Sequence, residues 1–178
     1  LKFCTAVASS MAIPATMVPA MAQSLALAGR QSVIWMSYQE CTGCIESLTR
    51  SFNPTVENLI FNFISLDYQH ALQAAAARQA EDALAAAIEK NYGKYLVIVD
   101  GSIPIANDGL YSTVDGHTNL ESLRHVAEGA AAIVSIGTCA SFGGVGAAAP
   151  NPTGAVGVDQ IITDKPILNV PGCPPMPE

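Results

Sequence analysis

Residues 32–50 read SVIWMSYQECTGCIESLTR: an apolar run, a short polar turn, two cysteines two residues apart, and an amphipathic stretch. The apolar run does not alternate with polar residues. It therefore suits a strand covered on both faces, as in a parallel sheet. A helix over 43–51 then carries the chain away from the strand end. Four more runs rich in Val and Ile follow: NLIFNFISLD (58–67), YLVIVDG (95–101), AAIVSIG (131–137) and PILNV (166–170).

Between the second and third runs, Leu72, Ala76, Ala80, Leu84 and Ile88 recur every four residues, with Glu81, Asp82, Glu89 and Lys90 on other faces. That spacing predicts an amphipathic helix ending near Gly93. Residues 119–130, NLESLRHVAEGA, predict another, with Leu120, Leu123 and Val126/Ala127 as its apolar stripe. Strands alternating with helices give right-handed crossovers and an α/β fold in three layers, a doubly wound parallel sheet.

Sheets of this kind carry their sites outside the carboxyl ends of the strands. Cys41 and Cys44 follow the first run, Cys139 the fourth and Cys173 the fifth. All four thiols are thus expected at one edge, where three loops aim them at one point. Gly43, the glycines of GTCASFGG and the prolines of VPGCPP let backbone approach a bulky group and leave few competing N–H donors. Four thiolates suit the corners of an iron–sulfur cubane. Zinc usually draws on two local cysteine pairs, and here the second pair is missing. Disulfides or buried free thiols complete the alternatives. On the residues alone, all of these stay open.

Of 178 residues only 13% are charged, half are apolar, and the net charge is −7. The eight Lys and Arg are scattered singly, so no basic patch is present to track a phosphate backbone, and nucleic acid is excluded as a partner. The thin ration of charge fits surface covered by a partner or a large α/β core. At the N-terminus, Ala20-Met21-Ala22 before Gln23 closes an apolar, small-residue run. Residues 1–22 are expected to be the back part of an export signal, of the twin-arginine type, with which Cys4 would leave; the alternative is an N-terminal amphipathic helix belonging to the fold.

Five stretches together resemble the small subunit of a nickel–iron hydrogenase: VIWMSYQECTGCIESLTRS, FISLDYQHALQAAAA, YLVIVDGSIP, GTCASFGGVGAAAPNPTGAV and KPILNVPGCPP. The likeness runs from about Ser32 to Pro177. It implies a flavodoxin-like domain over 32–178 and electron transfer as this chain's part in hydrogen oxidation or evolution. It also implies that Cys41, Cys44, Cys139 and Cys173 hold a proximal 4Fe–4S cluster. The nickel–iron centre would belong to the large subunit, with which this chain forms a heterodimer. A downstream acceptor such as a cytochrome and a periplasmic location, membrane-associated through a partner, are further implications. Oxygen-tolerant relatives carry extra cysteines where Gly43 and Gly144 stand here, so an ordinary, oxygen-sensitive cubane is expected. No residues here match the family's 3Fe–4S and distal 4Fe–4S sites, so its second cluster-binding domain is expected to be absent from this stretch. Two rivals remain: an iron–sulfur subunit of a complex I-like quinone reductase, and an exported domain with structural zinc or disulfides.

No catalytic residue is expected in this chain. Glu40 is the one candidate for a supporting role beside the cluster; the alternative is an acid near a helix start, favoured by the dipole. Glu46 and Arg50 read as a surface i,i+4 pair. Trp35 and Tyr38 read as packing residues, and Asp100 as turn chemistry. His70, His117 and His125 read as isolated surface or helix-face histidines.

Overall fold

The computed structural model of the chain describes residues 4–5, 8–9, 12–27 and 29–177. By its contacts the chain divides into two units, residues 1–31 and 32–178. In the first, a 3₁₀ turn at Ala15–Met17 runs into helix α1, Val18–Leu27. Cys4, Ala8 and Val18 are buried there beside Ile13, Met21 and Ala22. The expected signal segment lies only partly within the described residues. Among those, no helix is long and apolar enough to cross a membrane.

The second unit is built on a five-stranded sheet of β1 (Gln31–Ser37), β2 (Ile64–Gln69), β3 (Leu96–Asp100), β4 (Ala132–Ile136) and β5 (Ile167–Val170), in the order β2-β1-β3-β4-β5. That is the flavodoxin-like order. The pairs β1–β3, β3–β4 and β4–β5 are parallel. Residues 32–36 of β1 are buried one after another, so both faces of the sheet are covered. Ile34, Met36, Val97, Val99, Ile133, Leu123 and Val126 form one core cluster.

The unit's described helices of six residues or more are α2 (Gly43–Thr49), α3 (Arg78–Asn91), α4 (Asn119–Glu128) and α5 (Gly137–Phe142). Helix α4 starts where the Thr118 hydroxyl accepts from the Glu121 N–H while Glu121 accepts from the Thr118 N–H, a capping box. It buries Leu123, Val126 and Ala127, as its stripe predicts.

Two boundaries differ from the sequence reading. The run 58–67 is strand only from Ile64. Thr55 accepts from the Asn58 N–H and starts a helical turn, and Leu59–Phe63 continues as a π turn. Phe61 and Phe63 stand 70% and 57% exposed there, so an apolar run did not mean burial. The second difference is α3, which begins at Arg78 rather than near Leu72. The Gln69 side chain takes the Ala71 and Leu72 N–H groups at 2.6 and 2.5 Å, tying residues 70–72 into a turn. Ala77 then enters the helix at φ 51° and ψ −135°, a conformation costly for any residue with a Cβ. Ala77→Gly is expected to raise stability by about 1 kcal/mol, relief of strain outweighing the added freedom of the unfolded chain. Urea titration of the cluster-free chain checks this; an unchanged or lower midpoint contradicts it.

Candidate metal centre

The parallel register aligns the strand ends. Ser37 pairs with Asp100, Asp100 with Ile136, and Ile136 with Val170. Each cysteine-bearing loop leaves from this one row. The loop after β1 is held to the loop after β3 by paired bonds between Gln39 and Ser102, at 3.1 and 3.0 Å. The result is a cavity of about 70 Å³ whose wall includes Cys41, Cys44, Cys139, Cys173 and Glu40. All five cysteines of the chain are free thiols, and Cys4 lies in the N-terminal unit. The four thiols therefore line one cavity at the expected edge of the sheet.

Gly43, Gly101 and Gly172 contribute to the wall, and two further glycines pack directly against the cysteine sulfurs. A Cβ at Gly137 would lie 2.6 Å from the Cys44 Sγ, and one at Gly144 2.5 Å from the Cys139 Sγ. Both glycines have positive φ, 85° and 57°. Glycine is needed at both for conformation and for space. Nothing in the local sequence pattern marks Gly137 as a neighbour of Cys44, because the contact joins different loops.

Electrostatics disfavour the thiolate form at two of the four cysteines. Burial pushes the Cys44 thiol up to about 12, and Asp100, Cys139, Cys41 and Glu40 add to the rise. Burial likewise raises Cys139; the Val145 backbone N–H offsets part of this, while Cys173, Cys41 and Glu40 act against ionisation. Cys44 and Cys139 ionise together only against concentrated positive charge, which a metal group provides. Among the described residues, no three Cys, His, Asp or Glu converge on a single-ion position. The donor set fits a group offering several metal corners around one cavity.

Glu40 lies in the wall, before α2 rather than in it, and accepts from the Thr42 hydroxyl at 3.4 Å. Its second carboxylate oxygen is buried without a partner, and burial followed by the charge of Asp100 raises its pKa. Asp100 is more than turn chemistry. It is fully buried and accepts the Trp35 indole N–H at 3.0 Å, while its other oxygen lacks a partner. Burial raises its pKa, partly offset by hydrogen bonds from Ser37 and Trp35. Trp35 and Tyr38 are packing residues as expected, 2% and 8% exposed.

The sign for Asp100 follows from linkage. Its folded pKa lies above the ordinary 3.8, so the folded chain holds this proton more tightly than the unfolded chain does. Stability from this group is full below 3.8 and is lost as pH rises from there through the folded pKa. Asp100→Asn is expected to gain stability relative to the parent progressively across that window, in cluster-free chains unfolded with urea at a series of pH values. A difference that does not change with pH contradicts the assignment.

Among the described residues the three histidines form no cluster that could hold a metal ion, although they share one cavity. His70, His117 and His125 line a second cavity of about 500 Å³ with Glu81, Glu121 and Tyr68, sharing no wall residue with the cysteines. His70 Nδ1 accepts from the Ser37 N–H at 3.1 Å, which leaves the proton on Nε2 and makes that nitrogen a donor, not a metal ligand. Glu46 and Arg50 line a groove with Phe52 and Met176 beside the Cys173 loop.

Residues 41–178 match the family described as NADH ubiquinone oxidoreductase, 20 Kd subunit. The chain is 46% identical over 177 residues to the Hydrogenase-2 small chain of Escherichia coli (strain K12), covering 99% of this chain and 48% of that protein. It is 48% identical over 177 residues to the quinone-reactive Ni/Fe-hydrogenase small chain of Wolinella succinogenes, covering 98% and 50%. Among solved structures, the reduced, active form of the Ni-Fe-Se hydrogenase from Desulfomicrobium baculatum matches with a TM-score of 0.80 at 34% identity. That match covers 84% of this chain and 58% of the other. The chain spans about half the length of the curated relatives it matches.

Proposed function

This chain belongs to the family of the NADH ubiquinone oxidoreductase 20 Kd subunit and is similar within it to hydrogenase small chains, and from that premise we propose that it is the electron-carrying part of a nickel–iron hydrogenase small subunit. The observation that carries this reading is the cavity at the strand ends, where four free thiols from three loops meet glycine backbone. Cys41, Cys44, Cys139 and Cys173 would hold one 4Fe–4S cluster, the group that supplies one-electron storage when bound. Thiolates at every corner leave no iron position open to substrate. The chain's own work is to hold and insulate: Gly137 and Gly144 leave room for the Cys44 and Cys139 sulfurs, and Trp35 holds the Asp100 carboxylate whose charge acts on Cys44. Glu40 stands beside Cys41 as a supporting residue.

Hydrogen chemistry in this reading takes place at a nickel–iron centre in a large-subunit partner, with electrons leaving for an acceptor such as a cytochrome. Export through the segment 1–22 to the periplasm and oxygen sensitivity, argued from Gly43 and Gly144, belong to the same proposal. The family description favours one second reading, a quinone-reductase subunit on the same fold. The separated Cys41 and Cys44 count against it, since that branch resembles this domain but carries adjacent cysteines. Hydrogen decides between the two. In the full-length small subunit assembled with its large subunit, hydrogen gas is expected to produce the electron paramagnetic resonance of a reduced cluster. A cluster that dithionite reduces and hydrogen does not contradicts the hydrogenase reading.

A further inference from the structure

The loop that bears Cys173 cannot hold itself in place. Pro171, Pro174, Pro175 and Pro177 lack N–H groups, so the loop builds no ladder of its own. Its anchors come from Thr138 and Ser47, on the other two cysteine-bearing elements. The Thr138 N–H donates to the Gly172 carbonyl at 2.7 Å and its hydroxyl donates to the same carbonyl at 3.1 Å. The Gly172 N–H donates back to the Thr138 hydroxyl at 3.2 Å. On the other side, the Ser47 hydroxyl donates to the Pro175 carbonyl at 2.7 Å. Thr138 immediately precedes Cys139, and Ser47 stands one helical turn beyond Cys44 on α2. Cys173 is thus bracketed, at 172 and at 175, by clamps fixed to the neighbouring cysteines.

We infer that Thr138 and Ser47 are positioning residues that lock the Cys173 loop to the Cys44 and Cys139 elements, so that the fourth thiol is in place before any metal group arrives. The inference deepens the cluster reading and rests on it. Preorganisation of this kind acts on retention: a corner that stays in place recaptures its iron, and a loose one releases it.

The test uses the full chain carrying Thr138→Val, Thr138→Ser or Ser47→Ala. Valine keeps the backbone bond and the shape but removes both hydroxyl bonds, and serine restores them. In anaerobically loaded protein, iron release to a chelator is expected to be about tenfold faster in T138V, near the parent rate in T138S, and intermediate in S47A. In the cluster-free chain, exchange of the Gly172 amide is expected to rise by a similar factor in T138V only, with core amides such as Val99 unchanged. Parent-like release in T138V, or release in T138S as fast as in T138V, overturns the inference. A parent chain that takes up no iron and sulfide overturns the cluster reading instead. The Gly172 amide then decides the clamp alone, faster exchange in T138V supporting it and unchanged exchange refuting it.

Discussion

Cys139→Ala is expected to empty the centre while leaving the fold standing. Cys139 sits on the short helix α5 and supplies one of the four thiols around the cavity. Removing it leaves three, and an iron corner open to water or to a further ligand. Iron and sulfide retained after anaerobic loading should fall roughly tenfold or more, as loss of a direct ligand exceeds the effect usual for residues behind one. The half-buried sulfur contributes little to packing, so the cluster-free chain should lose only about 1 kcal/mol of stability. Cys4→Ala is the matched control. Its thiol is buried in the N-terminal unit, and metal content should not change. If C139A retains iron at the parent level, the thiols act separately and the shared centre is wrong.

Gly144→Ala carries the second large effect. At φ 57° an added Cβ would stand 2.5 Å from the Cys139 Sγ, 2.8 Å from its Cα and 3.1 Å from its N. The sulfur would have to move, and the backbone atoms of Cys139 cannot give way cheaply. Positive φ and overpacking together predict a loss of roughly 3 kcal/mol, with iron retention falling alongside. Gly43→Ala provides the contrast. Its φ is not positive, it opens helix α2, and its Cβ would meet only the Cys41 Sγ at 3.3 Å. There the gain in helix propensity offsets the tight contact, and stability should stay within about 1 kcal/mol of the parent. Equal effects from both substitutions would show that the cradle geometry is not what the glycines serve.

These expectations mark the line between what local sequence carries and what only the fold reveals. Strands β1, β3 and β4, inside the sheet, were legible because a parallel strand covered on both faces reads as a continuous apolar run, whereas β5 is an edge strand with Leu168 62% exposed, legible from its apolar run but not through burial. The same rule failed at 58–63, where Thr55 caps a helical turn and the phenylalanines stay in the open. The convergence of four thiols was legible through strand order alone, since parallel strands in register end in one row. Its lining was not. The Gly137–Cys44 approach, the Trp35–Asp100 bond and the Ser47–Pro175 clamp join positions far apart, 128 residues in the last case, and no periodicity encodes them. Asp100 was legible as a strand end but not as a buried carboxylate, because burial is a property of the neighbours.

Metal and acid-labile sulfide analysis of the anaerobically purified chain, read with its Mössbauer spectrum, tests the shared centre most directly. Four irons and four sulfides per chain, in one spin-coupled population, are what four cysteine corners predict. One zinc ion per chain, or an oxidised Cys41–Cys44 pair with no iron, would contradict it.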